Sequence, residues 1–299
     1  MTLQQLKYVV TVAECGNITE AAKQLFVSQP TVTSAIHDLE KEMQIVIFIR
    51  TNKGVILSED GERFLGHARQ VLEQVDLIEG IYKDDVVSKP HFAVSCQHYS
   101  FAVNAFVDVI REFDAYQYDF TIREEQTHEI IEDVTNLKSE LGVIYLSSKN
   151  TEVLSKMLKR NELEFTELFT ATPHVFICDS HPLASKNSIT MDDLQDYPYL
   201  TYEQGEYNSQ FFSEEFVSTL DIRMNIRVRD SAPLFKLIIG LNGYTVCSGV
   251  ISAELNGRNI ISKPLDVEEY MRIGIISRKG VVLSRYAREY IEALKAHCM

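Results

Sequence analysis

The sequence predicts an α/β protein that carries a separate helical domain at its N-terminus. Three observations support this prediction. Apolar residues recur at helical spacing through the first 58 positions, one long helical seam follows, and short apolar runs alternate with helical patterns after position 90. At 299 residues the chain is longer than a single domain usually is, so two or more domains are expected.

The first 43 residues predict three helices with a tight turn before the third. Asn17 has the pattern of an N-cap for the second helix, and Ser28 can cap the third. Pro30 is tolerated in the first turn of the third helix, because no intrahelical hydrogen bond is needed there. The small residues Ala21 and Ala22 stand where two helices would cross. This order is typical of a helix-turn-helix, although many helical bundles share it.

The third predicted helix carries short polar side chains with almost no charge on the front of its exposed face. A helix that enters the major groove of DNA needs hydrogen-bond donors and acceptors near its N-terminal end. Gln29 can form two hydrogen bonds with adenine, and the neighbouring threonines can offer hydroxyls, or a methyl group to thymine. The predicted DNA-contacting residues of this helix are Ser28, Gln29, Pro30, Thr31, Thr33, Ser34 and His37.

A β-hairpin is predicted next. Apolar and polar residues alternate through Ile47–Arg50 and again through Val55–Ser58, and a turn signal lies between the two runs. The charges of the hairpin are Arg50 and Lys53, both positive. A basic hairpin after a helix-turn-helix is a wing that can reach phosphate or the minor groove, so both residues are predicted to contact DNA. The alternative is a solvated turn that happens to hold a lysine.

From Ser58 the chain is predicted to be helical for about 25 residues, with apolar residues at the alternating spacings of a coiled coil. The short helices before it cannot bury a seam of this length, so the seam predicts a dimer. Packing against the chain's own body is the alternative. The predicted dimerisation residues are Phe64, Ala68, Val71, Val75, Ile78 and Tyr82.

Residues 12–43 read VAECGNITEAAKQLFVSQPTVTSAIHDLEKEM, and residues 47–69 read IFIRTNKGVILSEDGERFLGHAR. Both segments closely resemble the N-terminal domain of the LysR-type transcriptional regulators. The resemblance continues weakly through the rest of the chain. It implies a cytoplasmic bacterial homodimer or homotetramer that binds double-stranded promoter DNA and responds to a small-molecule co-inducer. The positions that match are Ala21-Ala22, Ser28-Gln29-Pro30, Leu39-Glu40, Phe48, Arg50-Thr51 and Gly54.

One departure from the family pattern concerns the middle of the third helix. Family members often carry a basic or glutamine residue there, whereas this chain has Ser34, Ala35 and His37. The substitution predicts fewer phosphate contacts from the helix and a larger share from Arg50 and Lys53.

After residue 90, strands and helices alternate, which predicts an α/β domain with largely parallel sheets. The predicted strands are Phe92–Ser95, Phe120–Ile122, Leu141–Leu146, Val175–Cys178, Tyr199–Tyr202, Asn225–Val228, Thr245–Cys247 and Arg272–Ile276. The resemblance implies a two-lobed, periplasmic-binding-protein-like α/β regulatory domain that the chain crosses twice. The predicted domains are 1–58 for the winged helix-turn-helix, 59–89 for the linker helix and hinge, and 90–299 for the regulatory domain, with lobe 1 at about 91–162 plus 267–299 and lobe 2 at about 163–266.

Ligands of such sheets bind beyond the carboxyl ends of the strands, where helix N-termini point. The hydroxyls and amides found there suit a small polar or anionic metabolite, although many of the serines and threonines can simply cap helices. His98 and Tyr99 are less easily explained as caps. The predicted effector-binding residues are Gln97, His98, Tyr99, Ser100, Thr127, Thr201, Tyr202, Ser231 and Ser248.

The charge of the chain is distributed unevenly. The formal net charge is -14, yet residues 1–58 hold five basic and five acidic groups, so the excess of acid lies in residues 59–299. The neutral segment, residues 1–58, can still approach phosphate, and the acidic segment, residues 59–299, is expected to keep the protein soluble. Five widely spaced cysteines favour free thiols in a reducing cytoplasm. No secretory signal or membrane-spanning apolar run is visible in the sequence.

Other chemistry finds little support. His174, Cys178 and His181 lack a fourth ligand nearby, so no metal site is predicted. The motifs of α/β-hydrolases, P-loop proteins and zinc proteases are absent, so neither a catalytic residue nor a cofactor is predicted. The alternatives are a thiol-responsive regulator that uses Cys96, beside the predicted cleft, and a solute-binding protein or an enzyme with a helical cap.

Overall fold

The structure is a computed structural model that describes residues 1–52, 54–82, 90–113, 117–205, 211–215, 222–251 and 259–298. The chain forms two compact units. The N-terminal unit contains Met1–His91, Gln117–Asp119 and Asn136–Lys138, and the C-terminal unit contains Phe92–Tyr116, Phe120–Thr135 and Ser139–Met299.

The N-terminal unit begins with three helices, α1 (Leu3–Cys15), α2 (Ile18–Gln24) and α3 (Gln29–Met43). The second and third helices begin at the caps predicted from the sequence, Asn17 and Ser28. The Asn17 side chain accepts hydrogen bonds from the first backbone N–H groups of α2, and the Ser28 hydroxyl accepts from the Thr31 N–H. The three helices pack through the buried side chains Val9, Val12, Ala21, Ala22, Val32, Ile36 and Leu39.

A two-stranded antiparallel hairpin follows, formed by β1 (Phe48–Thr51) and β2 (Gly54–Leu57). The Glu40 carboxylate of α3 accepts hydrogen bonds from the Ile47 N–H at 2.7 Å and the Phe48 N–H at 3.1 Å. Gly54 has a φ of +140°, and a Cβ there would collide with the carbonyl oxygen of Gly16. Leu39, Glu40 and Gly54, which match the family pattern, therefore hold the hairpin against the helices.

Helix α4 (Glu59–Tyr82) begins after Ser58, whose hydroxyl accepts from the Gly61 N–H at 2.9 Å. Its first turns pack against α1, and Phe64 and Leu65 belong to the core of the three helices and the hairpin. The predicted long helix is therefore present, and its beginning is anchored in the head of its own chain.

The first lobe of the C-terminal unit is built on a five-stranded sheet with the order β4-β3-β5-β12-β6. Its core lies between this sheet and the helices that follow β3 and β12; there, the buried Tyr290 hydroxyl donates to the Ala102 carbonyl at 3.0 Å. The elements of this lobe are β3 (His91–Cys96), α5 (Ser100–Glu112), β4 (Asp119–Glu124), α6 (Thr127–Thr135), β5 (Leu141–Leu146), α7 (Thr151–Arg160), β6 (Leu163–Ala171), β12 (Met271–Arg278) and α9 (Arg285–Cys298).

The second lobe holds a three-stranded sheet with the order β10-β7-β11 and a two-stranded sheet of β8 and β9. A single bridge between Tyr199 and Tyr244 joins β8 to the residue just before β10. The elements are β7 (His174–Cys178), a short 3-10 helix (Asp192–Leu194), β8 (Tyr199–Tyr202), β9 (Asn225–Val228), α8 (Ser231–Leu241), β10 (Thr245–Cys247) and β11 (Ile260–Pro264).

The expectation of largely parallel sheets is wrong. β3 pairs with β5 and β8 pairs with β9 in parallel, but β12 is antiparallel to both β5 and β6, and β7 is antiparallel to both β10 and β11. The sheets are mixed because the chain leaves the first lobe after β6 and returns to it as β12. The direction in which a returning strand runs is set by this double crossing, which local alternation of strands and helices does not encode.

Two strands were not predicted, β6 and β11. β6 pairs along β12 and so belongs to the first lobe's sheet, although we expected that lobe to end at about residue 162. Its mixed pattern of buried and exposed residues suits the edge of a sheet and differs from the apolar runs of the buried strands. None of the helices in the described ranges is long and apolar enough to cross a membrane.

Candidate functional site

The exposed surface of α3 is the candidate DNA interface. Val32, Ile36 and Leu39 are buried on one side of the helix. On the other side, the predicted DNA-contacting residues are solvent-exposed except Thr33, which is half-buried; the exposed ones are Ser28, Gln29, Pro30, Thr31, Ser34 and His37. The helix therefore separates an apolar face that supports it from a polar face that is free to meet base edges.

Hydrogen bonds between neighbouring side chains order the polar face of α3. The Gln29 amide nitrogen donates to the Thr33 hydroxyl at 3.1 Å, and the Ser28 and Thr31 hydroxyls are 2.7 Å apart. The bond to Thr33 holds the Gln29 side chain along the helix. It uses one N–H of the amide and leaves the second N–H and the amide oxygen for other partners. An ordered amide loses less conformational entropy when it pairs with a base than a mobile one would.

The wing presents Arg50 near the end of β1, where the residue is exposed. Lys53, the other predicted phosphate contact, lies outside the described residues. Asn52, which is also exposed, is the last described residue before it. Arg50 therefore lies at the surface of the hairpin, where a phosphate can approach its guanidinium.

The predicted dimerisation seam changes character along α4. Ala68 is 2% exposed and Phe64 packs into the helical core, so the beginning of the seam is buried within the chain itself. Val71 and Ile78 are 41% and 57% exposed, and Val75 is half-buried. The side chain of Tyr82 lies outside the described part of the chain. Exposed aliphatic residues at coiled-coil spacing remain available to a partner helix from position 71 onward.

The candidate effector cleft lies between the two lobes of the C-terminal unit, and Gln97 lies at its base. The Gln97 amide nitrogen donates to the Thr127 hydroxyl at 2.7 Å, and its oxygen accepts from the Tyr145 N–H at 3.0 Å and from the Tyr99 hydroxyl at 3.2 Å. The Thr127 hydroxyl donates in turn to the Phe212 carbonyl at 2.8 Å. Gln97 and Thr127 therefore fix the surrounding elements to one another.

An acidic segment, residues 211–215, enters the cleft beside His98. The carboxylate of Glu214 accepts from the His98 backbone N–H at 3.0 Å and lies 2.7 Å from His98 Nδ1. The Gln204 amide also donates to this carboxylate, at 3.1 Å. Burial lowers the pKa of His98, but the charge and the hydrogen bond of Glu214 outweigh burial, so the net pKa lies above its ordinary value.

Glu215 is the second carboxyl group of the acidic segment and is 2% exposed. One of its oxygens accepts from the Tyr202 N–H at 2.6 Å and the other from the Ser213 hydroxyl at 3.0 Å. Burial, and then the charge of Glu214, raise the pKa of Glu215 to about 8. Glu215 is therefore mostly protonated at neutral pH. No sequence pattern pointed to either glutamate, because the acidic segment has no periodicity of its own.

A small cavity of about 40 Å³ lies beside these carboxyl groups. This volume is a few times what one water molecule requires. Five of the nine predicted effector-binding residues line the cavity: His98, Tyr99, Ser100, Tyr202 and Ser248. Residues that were not predicted complete its described lining, among them Glu214, Glu215, Phe176, Phe235, Thr245 and Cys247.

The other predicted residues have different roles. The Thr201 hydroxyl donates to Asn225 Oδ1 at 3.2 Å. The Ser231 hydroxyl accepts from the Tyr202 hydroxyl at 3.4 Å and donates to the Glu124 carboxylate at 3.1 Å. Thr201 thus ties β8 to β9, while Ser231 ties the start of α8 to the end of β4 in the other lobe.

The thiol of Cys96 is poorly suited to redox sensing. It is completely buried, and burial, followed by nearby carboxylates, raises its pKa well above the ordinary value. Because the thiolate is the reactive form, this environment suppresses attack by Cys96 on an oxidant. No group of three metal-ligating side chains occurs within the described ranges, and the His181 Nε2 atom lies 3.0 Å from the Asn242 carbonyl.

Comparison with known proteins agrees with this architecture. Residues 3–62 match the family described as bacterial regulatory helix-turn-helix protein, lysR family, and residues 95–299 match the LysR substrate binding domain. The RuBisCO operon transcriptional regulator of Allochromatium vinosum is 28% identical over 316 residues, which cover 100% of this chain and 98% of the relative. SsuR of Burkholderia cenocepacia is 24% identical over 308 residues, covering 99% and 96%.

A full-length OxyR variant from Pseudomonas aeruginosa has the same fold, with a TM-score of 0.64 at 21% identity over 99% of this chain and 94% of that one. The resemblance predicted from the sequence is therefore confirmed over nearly the whole chain. The family consists of regulators that bind promoter DNA, and its members are not enzymes. The two family matches, together with the winged helix-turn-helix and the two-lobed C-terminal unit, show that this chain belongs to the LysR family of bacterial transcriptional regulators.

Proposed function

We propose that this regulator binds promoter DNA as a dimer, or a pair of dimers, and that a small molecule bound between its two lobes changes promoter occupancy. The head supplies the polar face of α3 and the basic wing. The exposed residues Val71 and Ile78 supply the contact between two copies. A DNA-binding regulator must reach the chromosome, so the proposal places the protein in the cytoplasm.

The observation that carries the effector part of the proposal is the cleft itself. It lies where loops from both lobes meet. Two hydrogen bonds join the lobes across it, from the His98 N–H to the Glu214 carboxylate and from the Tyr145 hydroxyl to the Glu215 carbonyl. A ligand that contacts both lobes can stabilise one arrangement of them over another, provided that it binds the two arrangements with different affinities. The cavity beside the carboxyl groups supplies the space for such a contact.

The proposal can be tested with a reporter gene fused to DNA from the neighbourhood of the protein's own gene. Fragments that the full chain protects from nuclease digestion are selected first. The reporter is then followed in cells while the nutrient source changes. Ser100→Phe places a bulky ring at the lining of the cavity, so this variant should protect the same DNA but no longer respond to the nutrient change.

Ser155→Phe is the matched control, because Ser155 is exposed on α7. This variant should respond as the wild type does. A normal response from Ser100→Phe would show that the cleft is not the effector site.

A further inference from the structure

We propose that the effector is a small organic cation, an amine with an apolar portion, whose ammonium group pairs with the Glu215 carboxylate. The proposal rests on the proposed function of the cleft and names the chemical class that the cleft selects. It departs from the anionic class that the sequence left open. Four features of the cavity support it: the charge of the lining, the absence of a basic partner for Glu215 among the described residues, the apolar walls and the unpartnered Thr245 hydroxyl.

The charged side chains that line the cavity favour a positive ligand. Among the described residues of the lining there is neither a lysine nor an arginine, whereas two glutamates are present. Glu214 already has a basic partner, because its carboxylate lies 2.7 Å from Nδ1 of the buried His98. Glu215 is therefore the acidic group of the cavity without a basic partner, and an anionic ligand would find no lysine or arginine in the described lining to pair with.

The groups around Glu215 cannot replace a cation. Its carboxyl oxygens accept from the Tyr202 N–H and the Ser213 hydroxyl. The titratable groups that interact with it are Glu214 and His98, the phenols of Tyr99, Tyr145, Tyr199 and Tyr202, and the thiol of Cys247. In this setting Glu215 holds its proton at neutral pH, with a pKa of about 8. A cation that enters the cavity supplies the missing positive charge and stabilises the ionised form.

The remaining walls suit the apolar part of an amine. Phe176, Leu234 and Phe235 line the cavity from the second lobe, and the aromatic residues Tyr99 and Tyr202 also belong to its lining. The same walls would not distinguish an amine from an apolar acid, so discrimination falls to the carboxyl groups.

One polar atom in the lining has no partner within the described chain. Thr245 is 5% exposed and lines the cavity, and its hydroxyl oxygen forms no hydrogen bond with the described residues. Buried hydroxyls are rarely left unsatisfied in folded proteins. A ligand N–H group that donates to this oxygen would satisfy it, which an ammonium group, with three donors, can do while it also pairs with Glu215.

Binding of the cation should release a proton. The O–H bond of the Glu215 carboxyl group breaks, the proton passes to the solvent, and an ion pair with the ammonium group forms. Because the carboxyl group must ionise, the affinity for the cation should rise with pH up to about pH 8. Below that pH, about one proton should be released for each cation bound.

The experiment uses isothermal titration calorimetry on the full chain at pH 7 with two pairs of matched probes. Each pair has the same number of carbon atoms, opposite charges and a size that suits the small cavity: ethylammonium with acetate, and propylammonium with propionate. We expect at least one cation to bind and neither acid to do so. Repeating the titration in buffers of different ionisation enthalpy should reveal the released proton, a readout that needs no variant.

Glu215→Gln keeps the shape of the protonated side chain but cannot ionise. It should weaken binding of the cation by about ten-fold or more, the loss expected for a charge-assisted hydrogen bond, and abolish proton release. Glu164→Gln on the exposed face of β6 is the control and should bind as the wild type does. Thermal unfolding of both variants shows whether they are folded.

Three outcomes would overturn the proposal. Cation binding that is unaffected by Glu215→Gln would assign the charge recognition to another group. Acids that bind instead of the cations, and bind more tightly to Glu215→Gln than to the wild type, would show that the cavity takes an anionic effector and that Glu215 opposes its binding. The effector role of the cleft would survive that result. If none of the four probes binds, the amine class fails, whereas the response of Ser100→Phe in cells still decides the role of the cleft.

Discussion

The imidazole ring of His98 lies flat against the phenol ring of Tyr202, with ring centroids 3.8 Å apart and planes 6° apart. His98 follows β3 in the first lobe, and Tyr202 ends β8 in the second. The pair therefore joins the lobes directly, at the edge of the cavity. Any rearrangement that separates the lobes must break this stack together with the hydrogen bonds of the acidic segment.

Loss of the Tyr202 ring should weaken the contact between the lobes. We expect Tyr202→Leu to lower the free energy of unfolding by about 1–2 kcal/mol relative to Tyr202→Phe, because the stack contributes about 0.5–1.5 kcal/mol beyond its buried area. Tyr202→Phe keeps the ring and removes the hydrogen bond to Ser231. Urea unfolding followed by circular dichroism measures both variants. Equal stabilities would mean that the stack contributes nothing to the closed arrangement.

Glu215 should make the stability of the protein dependent on pH. Its pKa is raised from the ordinary 4.5 to about 8, so between these values the unfolded state releases a proton that the folded state keeps. The contribution of Glu215 to the free energy of unfolding should consequently be fully present below pH 4.5 and be lost as the pH rises to about 8. The contribution is on the order of 1 kcal/mol per pH unit.

The comparison between wild type and Glu215→Gln isolates this contribution, because other titrating groups act on both. The difference in unfolding free energy should grow with pH in favour of the variant and level off above pH 8. Glu164→Gln should show no such trend. A constant difference across this range would mean that Glu215 is ionised in the folded protein.

Gln29 is expected to specify a base. Gln29→Ala should cost about 1–3 kcal/mol of binding free energy on the cognate site and relax the preference at one position. Selection from a randomised DNA library, followed by titration of the best and mutated sites, measures both effects. Gln195→Ala, an exposed glutamine of the C-terminal unit, is the control. If the variant loses affinity equally for every sequence, Gln29 does not contact a base edge.

Arg50 is expected to contact phosphate. Arg50→Ala should weaken binding to all sequences and reduce the slope of log affinity against log salt by about one. Arg160→Ala removes an exposed arginine from α7 and should leave that slope unchanged. Fluorescence anisotropy at several salt concentrations gives the slopes. The same slope in Arg50→Ala and the wild type would exclude a phosphate contact from this position.

The exposed part of α4 is expected to hold the dimer. The double variant Val71→Asp, Ile78→Asp places two charges in the seam, where they would be buried against a partner helix, and should yield a monomer. Gln70→Asp adds a charge on a neighbouring face of the same helix and should remain oligomeric. Sedimentation velocity reports the mass of each. A dimer that persists in the double variant would locate the interface elsewhere.

Local signals predicted the N-terminal unit well. Asn17 and Ser28 cap the helices that they were expected to cap, and the hairpin and the long helix follow in the predicted order. Caps, turns and helical periodicity depend on residues a few positions apart, so a single sequence displays them. The exposed side of α3 could be predicted for the same reason, whereas DNA contact by its residues stays a prediction.

Contacts between distant residues limited the prediction of the cleft. Glu214 meets His98 across 116 positions of the chain, and neither residue carries a pattern that refers to the other. The loops that follow β3 and β8 were identified because the ends of strands are visible in the sequence. The segment that fills the space between them was not, because its position depends on how the two lobes pack.

Strand β12 is nearly the last element to be synthesised, yet it lies between β5 and β6 in the sheet of the first lobe. On the ribosome, β5 and β6 emerge long before the strand that must join them. At about 5–20 residues per second, the unfinished sheet waits roughly 5–20 s after Ala171 for Met271 to appear. The first lobe can complete its fold only after the second has been made, so a nascent chain exposes unpaired strand edges throughout that interval.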